Sequence, residues 1–589
     1  MNSSARAIAN NDIVYLWWTY DEKIEDCLGF SVRRLVAGKP TRALPAFVGF
    51  DPPKDGAPKD TVRHDTDEFP IQAYQWKDVF VPEETDVSYE IVPMTGTPGD
   101  LTERDDIKLT TAVTRATDSF GPIRVFFNRG IISTQALAAK LPKGPSGAPK
   151  PESLRKHIQV TDDPIRKMLA GEAVAALPSL LARARNEQGK CFLALYELTD
   201  EFLISEIEKT KGRVELILSN ADGTKGVKGD DGKTKQVKVY DMTNASTRKR
   251  LAKSLGAEFH DRLLPKGNYI GHNKFVVYVD SDGTPTTVLT GSTNWTATGL
   301  CAQSNNVIVI DDKAVAERYL KYWKLLLEDD AEQAAPLRTA DAKPAANIDL
   351  KADAGTIRVW FSPNTKAKQK PKKDPPTPPD MDDVFKRIRR AKDGVLFLVF
   401  NPGLPSILSE IAAVAEERAK ANKRFFVRGA ISDAKMSGQF ATRVYNDSTL
   451  TKPNRLVTGI AGIRDHFSFW ETELAQLGHA VIHDKIVVID PFRDSCCVIT
   501  GSHNEGFKAS YSNDENLVIL TGNREVAEAY TAHVLDVVNH YNWRYKLAQD
   551  AKAGKSPTFT SLAHDDSWQD KYFKGSFLAS RDRFFFPPA

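Results

Sequence analysis

Long apolar segments are absent from this chain of 589 residues. No run approaches the roughly 18 consecutive apolar residues that a membrane-crossing helix needs, and residues 1–6 lack the apolar core of a secretory signal peptide. These absences predict a cytoplasmic protein, with export by a specialised route as the alternative.

Cysteine and net charge are also scarce. The chain has five cysteines, an odd number, and two of them, Cys496 and Cys497, are adjacent within an apparent strand. This usage argues against a disulfide framework and fits a reducing compartment. The net charge of +3 creates no global basic field for a polyanion. Any affinity for nucleic acid must therefore be local.

What the chain does contain is one short pattern written twice. Residues 271–274 (Gly-His-Asn-Lys) precede residues 291–294 (Gly-Ser-Thr-Asn), and residues 482–485 (Ile-His-Asp-Lys) precede residues 501–504 (Gly-Ser-His-Asn). In each copy a His and a Lys are two positions apart at the start of a predicted strand, so both side chains project from the same face. The pattern indicates an active site that is built twice.

The flanking sequence repeats as well. Residues 123–127 resemble residues 357–361, and residues 192–195 resemble residues 397–400. Strands alternate with amphipathic helices, which predicts an α/β protein made of two mixed-sheet halves that form a pseudo-dimer. We place the halves at 121–335 and 356–548, with residues 336–355, rich in Ala, Asp, Lys and Pro, as a linker. Because this pseudo-dimer is internal, we expect a monomer.

The two ends of the chain differ in character from these halves. Residues 10–118 show short alternating runs separated by Pro, Gly and Asp, a pattern that predicts a small all-β sandwich. Tyr89 in this region resembles the tyrosine corner of fibronectin type III domains. Residues 549–589 form an aromatic C-terminal extension. We expect this extension to pack on the body of the protein, with a membrane-touching or partner-binding tail as the alternative.

The repeated pattern resembles the His-x-Lys and Gly-Ser-x-Asn motifs of the phospholipase D superfamily of phosphodiesterases. The second copy has the full His-x-Lys-x4-Asp spacing in His483, Lys485 and Asp490. In the first copy Val279 occupies the Asp position, and Asp280 follows it. The resemblance implies a metal-independent phosphodiester hydrolase with a covalent phosphohistidine intermediate, no cofactor and no metal ligand.

Elementary chemistry supports the same assignment. Phosphodiester cleavage needs a nucleophile, an acid for the departing alkoxide and positive charge on the phosphate oxygens. We therefore predict three groups of site residues. The catalytic group is His272, Lys274, His483, Lys485, Asn294, Asn504 and Glu515. The substrate-binding group is Ser292, Ser502, Trp295 and His503. The supporting group is Asp280, Asp490, Gln303 and Asn305.

The residues after each motif suggest how the two histidines divide the work. The second half has Glu515, whereas the first half has only the amides of Gln303 and Asn305 at the matching place. A carboxylate partner favours the charged form of an imidazole more than an amide does. We therefore expect Glu515 to pair with His483, which would make His483 the general acid and His272 the nucleophile.

The substrate is a phosphodiester whose class the motifs leave open. We predict cleavage of phospholipid headgroups at a membrane surface, on the basis of the near-neutral charge and the aromatic tail. A nuclease acting on DNA or RNA is the alternative, favoured by Trp295 and by lysine-rich segments at 222–238 and 364–380, the second of which we expect to be an exposed insertion. A catalytically inactive binding scaffold is the second alternative.

Overall fold

The computed structural model describes residues 3–46, 48–51, 64–129, 156–228, 234–265, 269–343, 346–421, 425–432, 457–459, 482–552, 561–573 and 584–587. The extra material that we expect at 141–155 in the first half lies outside these residues. Within the described ranges, no helix combines the length and the apolar character needed to cross a membrane.

The N-terminal region is built from antiparallel strands, which confirms the predicted all-β region. The strands are β1 (Ser4–Ala9), β2 (Val14–Thr19), β3 (Cys27–Val36), β4 (Arg42–Ala43), β5 (Pro45–Ala46), β6 (His64–Asp65), β7 (Gln75–Asp78), β8 (Asp86–Thr97), β9 (Asp100–Glu103), β10 (Leu109–Thr110) and β11 (Thr114–Arg115). One sheet has the order β1-β2-β7, and a second has the order β10-β8-β3-β4. The buried Tyr89 hydroxyl donates to Oδ2 of Asp78 at 3.0 Å. A fibronectin type III topology stays a prediction.

The first half contains one mixed sheet with helices around it. Its strands are β12 (Ser119–Phe120), β13 (Ile123–Phe127), β14 (Lys190–Leu195), β15 (Val214–Ser219), β16 (Gly223–Lys228), β17 (Thr234–Val239), β18 (Phe259–Arg262), β19 (Ile270–Gly271), β20 (Lys274–Val279), β21 (Pro285–Gly291) and β22 (Asn306–Ile310). Its helices are α1 (Pro164–Ala170), α2 (Ala173–Ala176), α3 (Ser179–Asn186), α4 (Glu201–Lys209), α5 (Ala245–Leu255), α6 (Ala297–Cys301) and α7 (Lys313–Glu328). The sheet order is β12-β13-β22-β21-β20-β14-β15-β18, while β16 and β17 form a separate hairpin.

The second half repeats this arrangement. Its strands are β23 (Ile348–Asp349), β24 (Thr356–Ser362), β25 (Gly394–Val399), β26 (Phe426–Ile431), β27 (Val457–Gly459), β28 (Lys485–Ile489), β29 (Cys497–Gly501) and β30 (Asn513–Thr521). The helices after α7 are α8 (Ala335–Asp341), α9 (Pro379–Arg390), α10 (Ile407–Lys420), α11 (Phe507–Ser512), α12 (Arg524–Lys552) and α13 (Asp570–Phe573). The sheet order β23-β24-β30-β29-β28-β25-β26-β27 matches that of the first half strand for strand.

The equal strand order confirms two mixed-sheet halves and corrects one detail of the repeat. The pairs β14·β15 and β25·β26 are parallel, while β14·β20 and β25·β28 are antiparallel. Leu195 lies opposite Lys274, and Val399 lies opposite Lys485. Leu195 therefore corresponds to Val399, so the alignment of 192–195 with 397–400 is wrong by one residue. Short apolar runs align almost equally well in either register.

The central strands are buried because both faces of each sheet are covered. All residues of β20 and β28 are buried, which explains their continuous apolar sequence. One apolar core joins the two halves and includes α7 and α12. Helix α7 begins where the Asp312 side chain accepts from the backbone N–H of Val315 at 3.0 Å, which satisfies an otherwise free donor. Separate cores lie on the outer face of each sheet.

Backbone pairing crosses between the halves at the motif. Strand β19 of the first half pairs in parallel with β30 of the second half. The reciprocal contact is a bridge between Ser304 and Ile482. The predicted pseudo-dimer is thus confirmed.

The segment at 336–355 is a packed connection rather than a free linker. It contains α8 and β23, and Arg338 of α8 is buried. The Arg338 guanidinium donates to the carbonyl oxygens of Thr365, Ala367 and Tyr511 at 3.0–3.1 Å. Composition alone predicts a linker here because the outward-facing residues are polar, and it misses this one buried cation.

The described part of the C-terminal extension packs on the body, as expected. The Trp568 indole N–H donates to the carbonyl of Cys27 at 2.8 Å in the N-terminal core. Phe585 stacks on Trp17 with ring centroids 3.9 Å apart. Phe584 packs on Phe426 and Phe492 of the second half. The extension therefore joins the N-terminal region to the second half.

Candidate active site

The two motif histidines meet at the junction of the two sheets. Lys274 and Lys485 are the first residues of β20 and β28, and each histidine lies two positions earlier. The rings of His272 and His483 are buried, with centroids 6.2 Å apart and planes inclined by 66°. The two copies of the pattern thus form one site.

Each histidine is held by the opposite half. Nδ1 of His272 lies 2.8 Å from Oε2 of Glu515 and 3.1 Å from the carbonyl of Ser502. Nδ1 of His483 lies 2.9 Å from Oδ1 of Asn305 and 3.1 Å from the carbonyl of Ser292. The expected pairing of Glu515 with His483 is therefore wrong. That prediction assumed partners within one half, whereas the crossing of β19 onto β30 exchanges them.

The electrostatics of the site favour neutral histidines beside an ionised carboxylate. Burial lowers the pKa of His272 to about 4, with Lys274 and Lys485 acting in the same direction and Glu515 opposing them. Burial, Lys485 and Lys274 also place the pKa of His483 well below its usual range. Although burial alone would raise the pKa of Glu515, the His272 contact above all holds it at about 2.

The lysines are placed symmetrically behind the histidines. Nζ of Lys274 donates to the carbonyl of His272 at 2.7 Å and lies 5.3 Å from the ring centre of Tyr196. Nζ of Lys485 donates to the carbonyl of His483 at 2.5 Å and lies 5.4 Å from the ring centre of Phe400. Burial lowers the pKa of Lys274 to about 8, against the opposing influence of Glu515 and Glu197.

The two motif asparagines differ in their partners. Nδ2 of Asn294 donates to Oε2 of Glu197 at 2.5 Å. Oδ1 of Asn294 and Oδ1 of Asn504 have no hydrogen-bond partner among the described residues. These amides have the polarity needed to bind a phosphate group, and one of them already has a carboxylate beside it.

The motif serines are buried and form hydrogen bonds within the protein. Oγ of Ser292 donates to Oδ1 of Asn305 at 2.8 Å and accepts from the backbone N–H of Asn306 at 3.0 Å. Oγ of Ser502 accepts from the backbone N–H of Asn516 at 3.0 Å. Both side chains have no exposed surface. Their geometry supports a role in holding the two loops rather than the predicted contact with substrate.

Trp295 and His503 are also not cleft residues. Trp295 is fully buried in the outer core of the first half. His503 is buried, with Nε2 3.1 Å from Oγ of Ser510 and 3.3 Å from Oδ2 of Asp380. Alternate residues of an extended loop face opposite sides, so residues beside Asn294 and Asn504 turn away from the site. The predicted substrate contacts at 295 and 503 are therefore corrected.

The supporting residues hold turns and loops. Asp490 accepts backbone N–H groups of Lys392, Asp393 and Gly394 at 2.7–3.0 Å. Asp280 instead accepts from residues 282 and 284 of its own turn. Oε1 of Gln303 accepts from Nδ2 of Asn305 at 3.2 Å. The displaced first-copy Asp thus has a different structural task from Asp490.

Sequence reasoning missed several residues of the site. Tyr196 and Phe400 each follow the last residue of equivalent strands and lie 5.1 Å, between ring centroids, from His272 and His483. The repeat in its correct register would have found this aromatic pair. Glu197 and Glu505 have no counterpart in the repeat, because Asn401 and Trp295 occupy the matching positions. Aligning the two copies and looking for a charged residue in one copy opposite an uncharged residue in the other would have identified both glutamates.

No group of three or more His, Cys, Asp or Glu side chains is arranged to hold a metal ion in the part of the chain that the structure describes. The polar groups that converge on the histidines are amides, lysines and carboxylates, which suit an oxyanion with a proton-transfer partner.

Comparison with known protein families identifies the first half. The family described as "Cardiolipin synthase, PLD-like domain" matches residues 179–326, which include His272, Lys274 and Asn294. The first half is a phospholipase D-like domain of the phospholipase D superfamily. The resemblance stated from the motifs is therefore confirmed, and the superfamily acts on phosphodiester bonds. The second half shares the strand order and the motif of this phospholipase D-like half.

Solved structures and curated proteins were compared as well. Phosphatidylserine synthase of Haemophilus influenzae is 12% identical with a TM-score of 0.38, over 67% of this chain and 94% of the other. Nuc of Salmonella typhimurium is 19% identical with a TM-score of 0.19, over 26% and 85%. NucT of Helicobacter pylori is 21% identical with a TM-score of 0.20, over 27% and 90%. No curated protein matches this chain.

Proposed function

We propose that this protein is a phosphodiesterase that cleaves phospholipid headgroups through a phosphohistidine intermediate. One observation carries the proposal: two buried histidines have ring centroids 6.2 Å apart, and Lys274 and Lys485 each donate to the carbonyl of the neighbouring histidine. A phosphoryl group between such rings can bond to one imidazole nitrogen while the other transfers a proton to the leaving oxygen.

His272 is the proposed nucleophile. Its Nδ1–H donates to Glu515 at 2.8 Å, which leaves the Nε2 lone pair free to attack phosphorus. The new P–N bond makes the imidazole ring cationic, and the Glu515 carboxylate stabilises that charge as an Asp does beside a catalytic His. The proposed roles of the two histidines are those expected from the sequence, but the reason for them differs. The sequence predicts the carboxylate beside the general acid, whereas here it stabilises the attacking histidine.

His483 is the proposed general acid. Burial and the two nearby lysines hold its pKa low, and a bound phosphodiester anion offsets those cations, so the ring takes up a proton with the substrate. As the P–O bond breaks, Nε2 of His483 gives this proton to the alkoxide. Neutral His483 then takes a proton from water, the water oxygen attacks phosphorus and the P–N bond breaks.

Exposed apolar side chains near the site edge support a lipid substrate. Leu195, the last residue of β14, lies opposite Lys274, so the carboxyl ends of the neighbouring parallel strands lie at the site edge. Leu263 and Leu404 are exposed on segments that follow β18 and β25. Met242, also exposed, follows β17, and the neighbouring Thr243 N–H donates to the carbonyl of Ala221 just after β15. Exposed apolar side chains at such an edge suit contact with a lipid surface.

The substrate class is tested by parallel assays of the full chain with EDTA present. Phosphatidylcholine vesicles, with and without an anionic lipid, are offered in one assay, and plasmid and single-stranded DNA in the other. We expect choline release by the wild type and none by His272→Ala. DNA cleavage without choline release would contradict the lipid assignment, and no turnover of either substrate or of bis-p-nitrophenyl phosphate would favour the scaffold.

A nuclease is the second candidate, favoured by the loop at 364–380. Lys366, Lys368, Lys372 and Lys373 are exposed there. The loop follows β24, whose last residue, Ser362, lies opposite Glu515. A cationic loop at the site edge suits the phosphates of a nucleic acid.

A further inference from the structure

A glutamate without a counterpart in the other half lies beside the proposed phosphate pocket. Glu197 follows β14 and Tyr196, and its Oε2 accepts from Nδ2 of Asn294 at 2.5 Å. The strand register places Asn401 at the equivalent position of the second half. The second half therefore has no carboxylate at the position of Glu197.

The contact with Asn294 places Glu197 beside a motif side chain of the site. Lys274 and Lys485 are the cations that act on this carboxylate, one from each half. Burial raises the pKa of Glu197 above its ordinary value, and Lys274, the Asn294 amide and Lys485 limit that rise. Glu515 is already committed to His272, whereas the proposed reaction has no use for a second negative charge.

A fixed negative charge in an anion pocket distinguishes ligands by their own charge. A phosphodiester carries one negative charge, whereas a phosphomonoester near neutral pH carries up to two. Repulsion grows with ligand charge and is strong where water is excluded. Such a carboxylate weakens the binding of a dianion more than that of a monoanion. The pocket then gains specificity because the competing ligand binds less tightly.

We propose that Glu197, in its ionised form, is a specificity-determining residue that restricts the pocket to singly charged oxyanions and so selects phosphodiesters over phosphomonoesters and free phosphate. This inference rests on the proposed function. Hydrolysis adds water to a monoanionic diester and yields an alcohol, a monoester and, above the second pKa of the monoester, a released proton. The dianionic product is then repelled by Glu197, which speeds its release.

The test compares Glu197→Gln with the wild type. Gln keeps the shape and can still accept from Asn294, but it carries no charge. Inhibition of bis-p-nitrophenyl phosphate turnover is measured at about pH 8 with sulfate as the dianion and diethyl phosphate as the monoanion. We expect the variant to bind sulfate about tenfold more tightly, a difference equal to 1.4 kcal/mol, with less than about a twofold change for diethyl phosphate.

Two further variants guard the interpretation. Glu201→Gln removes an exposed carboxylate that pairs with Arg250 on α4, and we expect no change in either inhibition constant. Glu197→Asn introduces the residue type of the second half and should reproduce the Gln result if Gln disturbs the fold. Equal changes for sulfate and diethyl phosphate, or none, would overturn the inference.

Failure of the proposed function gives a different result. Calorimetric titration with sulfate and diethyl phosphate measures binding without turnover. If the wild type binds these anions but never cleaves a diester, the proposed phosphodiesterase activity is wrong. The affinity of Glu197→Gln for sulfate relative to diethyl phosphate still tests the role of Glu197. If the wild type cleaves a diester and Glu197→Gln has the same ratio of sulfate to diethyl phosphate inhibition constants, Glu197 does not determine specificity. The proposed phosphodiesterase activity would still hold.

Discussion

The two halves have the same strand order but different charges at their shared site. His272 contacts the Glu515 carboxylate of the second half, whereas His483 contacts the Asn305 amide of the first half. The symmetric features, such as Lys274 with Tyr196 and Lys485 with Phe400, come from the repeated fold. The asymmetric features are single side chains. A duplicated fold can thus divide one reaction between its copies by changing few residues.

The largest effect is expected from the histidines themselves. His272→Ala should lower kcat/KM by about 10⁴-fold or more, because the nucleophile is lost. His483→Asn should slow turnover but let a phosphoryl adduct accumulate on residue 272, seen by intact-protein mass spectrometry after acid quenching of bis-p-nitrophenyl phosphate reactions. An adduct on residue 483 in His272→Ala would reverse the roles of the two halves.

Glu515→Gln makes the two halves alike, since each histidine then has an amide partner. We expect kcat to fall by about 100-fold with a smaller change in KM, because the carboxylate acts on the charge that develops in the transition state. Steady-state kinetics on bis-p-nitrophenyl phosphate measures this. The control is Glu201→Gln, an exposed glutamate on α4 that pairs with Arg250, for which we expect less than about a threefold change. A similarly small effect of Glu515→Gln would mean that the carboxylate does not distinguish the halves.

The pH profile separates the histidines further. The His272 pKa of about 4 keeps the attacking ring neutral above that pH. We expect kcat/KM to fall about tenfold per pH unit below pH 4, where the ring becomes protonated. Without a carboxylate to favour the cation, Glu515→Gln should move this limb to lower pH. Circular dichroism at each pH checks folding, and an acid limb near pH 6.5 in the folded enzyme would contradict the lowered pKa.

A smaller effect is expected on the pH dependence of stability. It arises at Glu505, which directly follows the second Gly-Ser-x-Asn motif and corresponds to Trp295 in the first half. Glu505 has φ +59°, and neither carboxylate oxygen has a hydrogen-bond partner among the described residues. Burial raises its pKa to about 8 from an ordinary value near 4.5. Between these values the unfolded chain loses a proton that the folded chain keeps, so this residue makes the protein less stable as pH rises.

Glu505→Gln should remove that loss. We expect its Tm to match the wild type near pH 4.5 and to exceed it by a few degrees near pH 8, on the order of a few kcal/mol at most. Thermal melts across this range measure the difference. A Tm difference that is the same at both ends of the range would show that Glu505 is not protonated in the folded protein.

Local patterns predicted the elements that carry the chemistry. The His/Lys spacing located both motif strands, and the apolar runs located the strand and helix after each Gly-Ser-x-Asn. These predictions succeed because period and burial act over a few residues. The one-residue error between 192–195 and 397–400 shows the limit, since a short apolar run carries little information on its register.

Contacts between distant residues could not be predicted in the same way. Trp295 and His503 flank motif residues in sequence, yet both turn into cores. Arg338 makes 336–355 a packed connection although its composition resembles a linker. In each case the burial of one side chain determines the structural role of its segment. Burial depends on how the sheets and helices pack together, which local sequence does not contain.

By itself, the sequence determined that a His/Lys site is built twice on two α/β halves, because those residues follow one another at strand spacing. Only the tertiary structure decided which carboxylate serves which histidine. Strand β19 pairs with β30 across the pseudo-dimer, so Glu515 lies 243 positions from His272 in sequence yet 2.8 Å away in space. Hydrogen bonding depends on that distance, and the chain order of the two copies does not contain it.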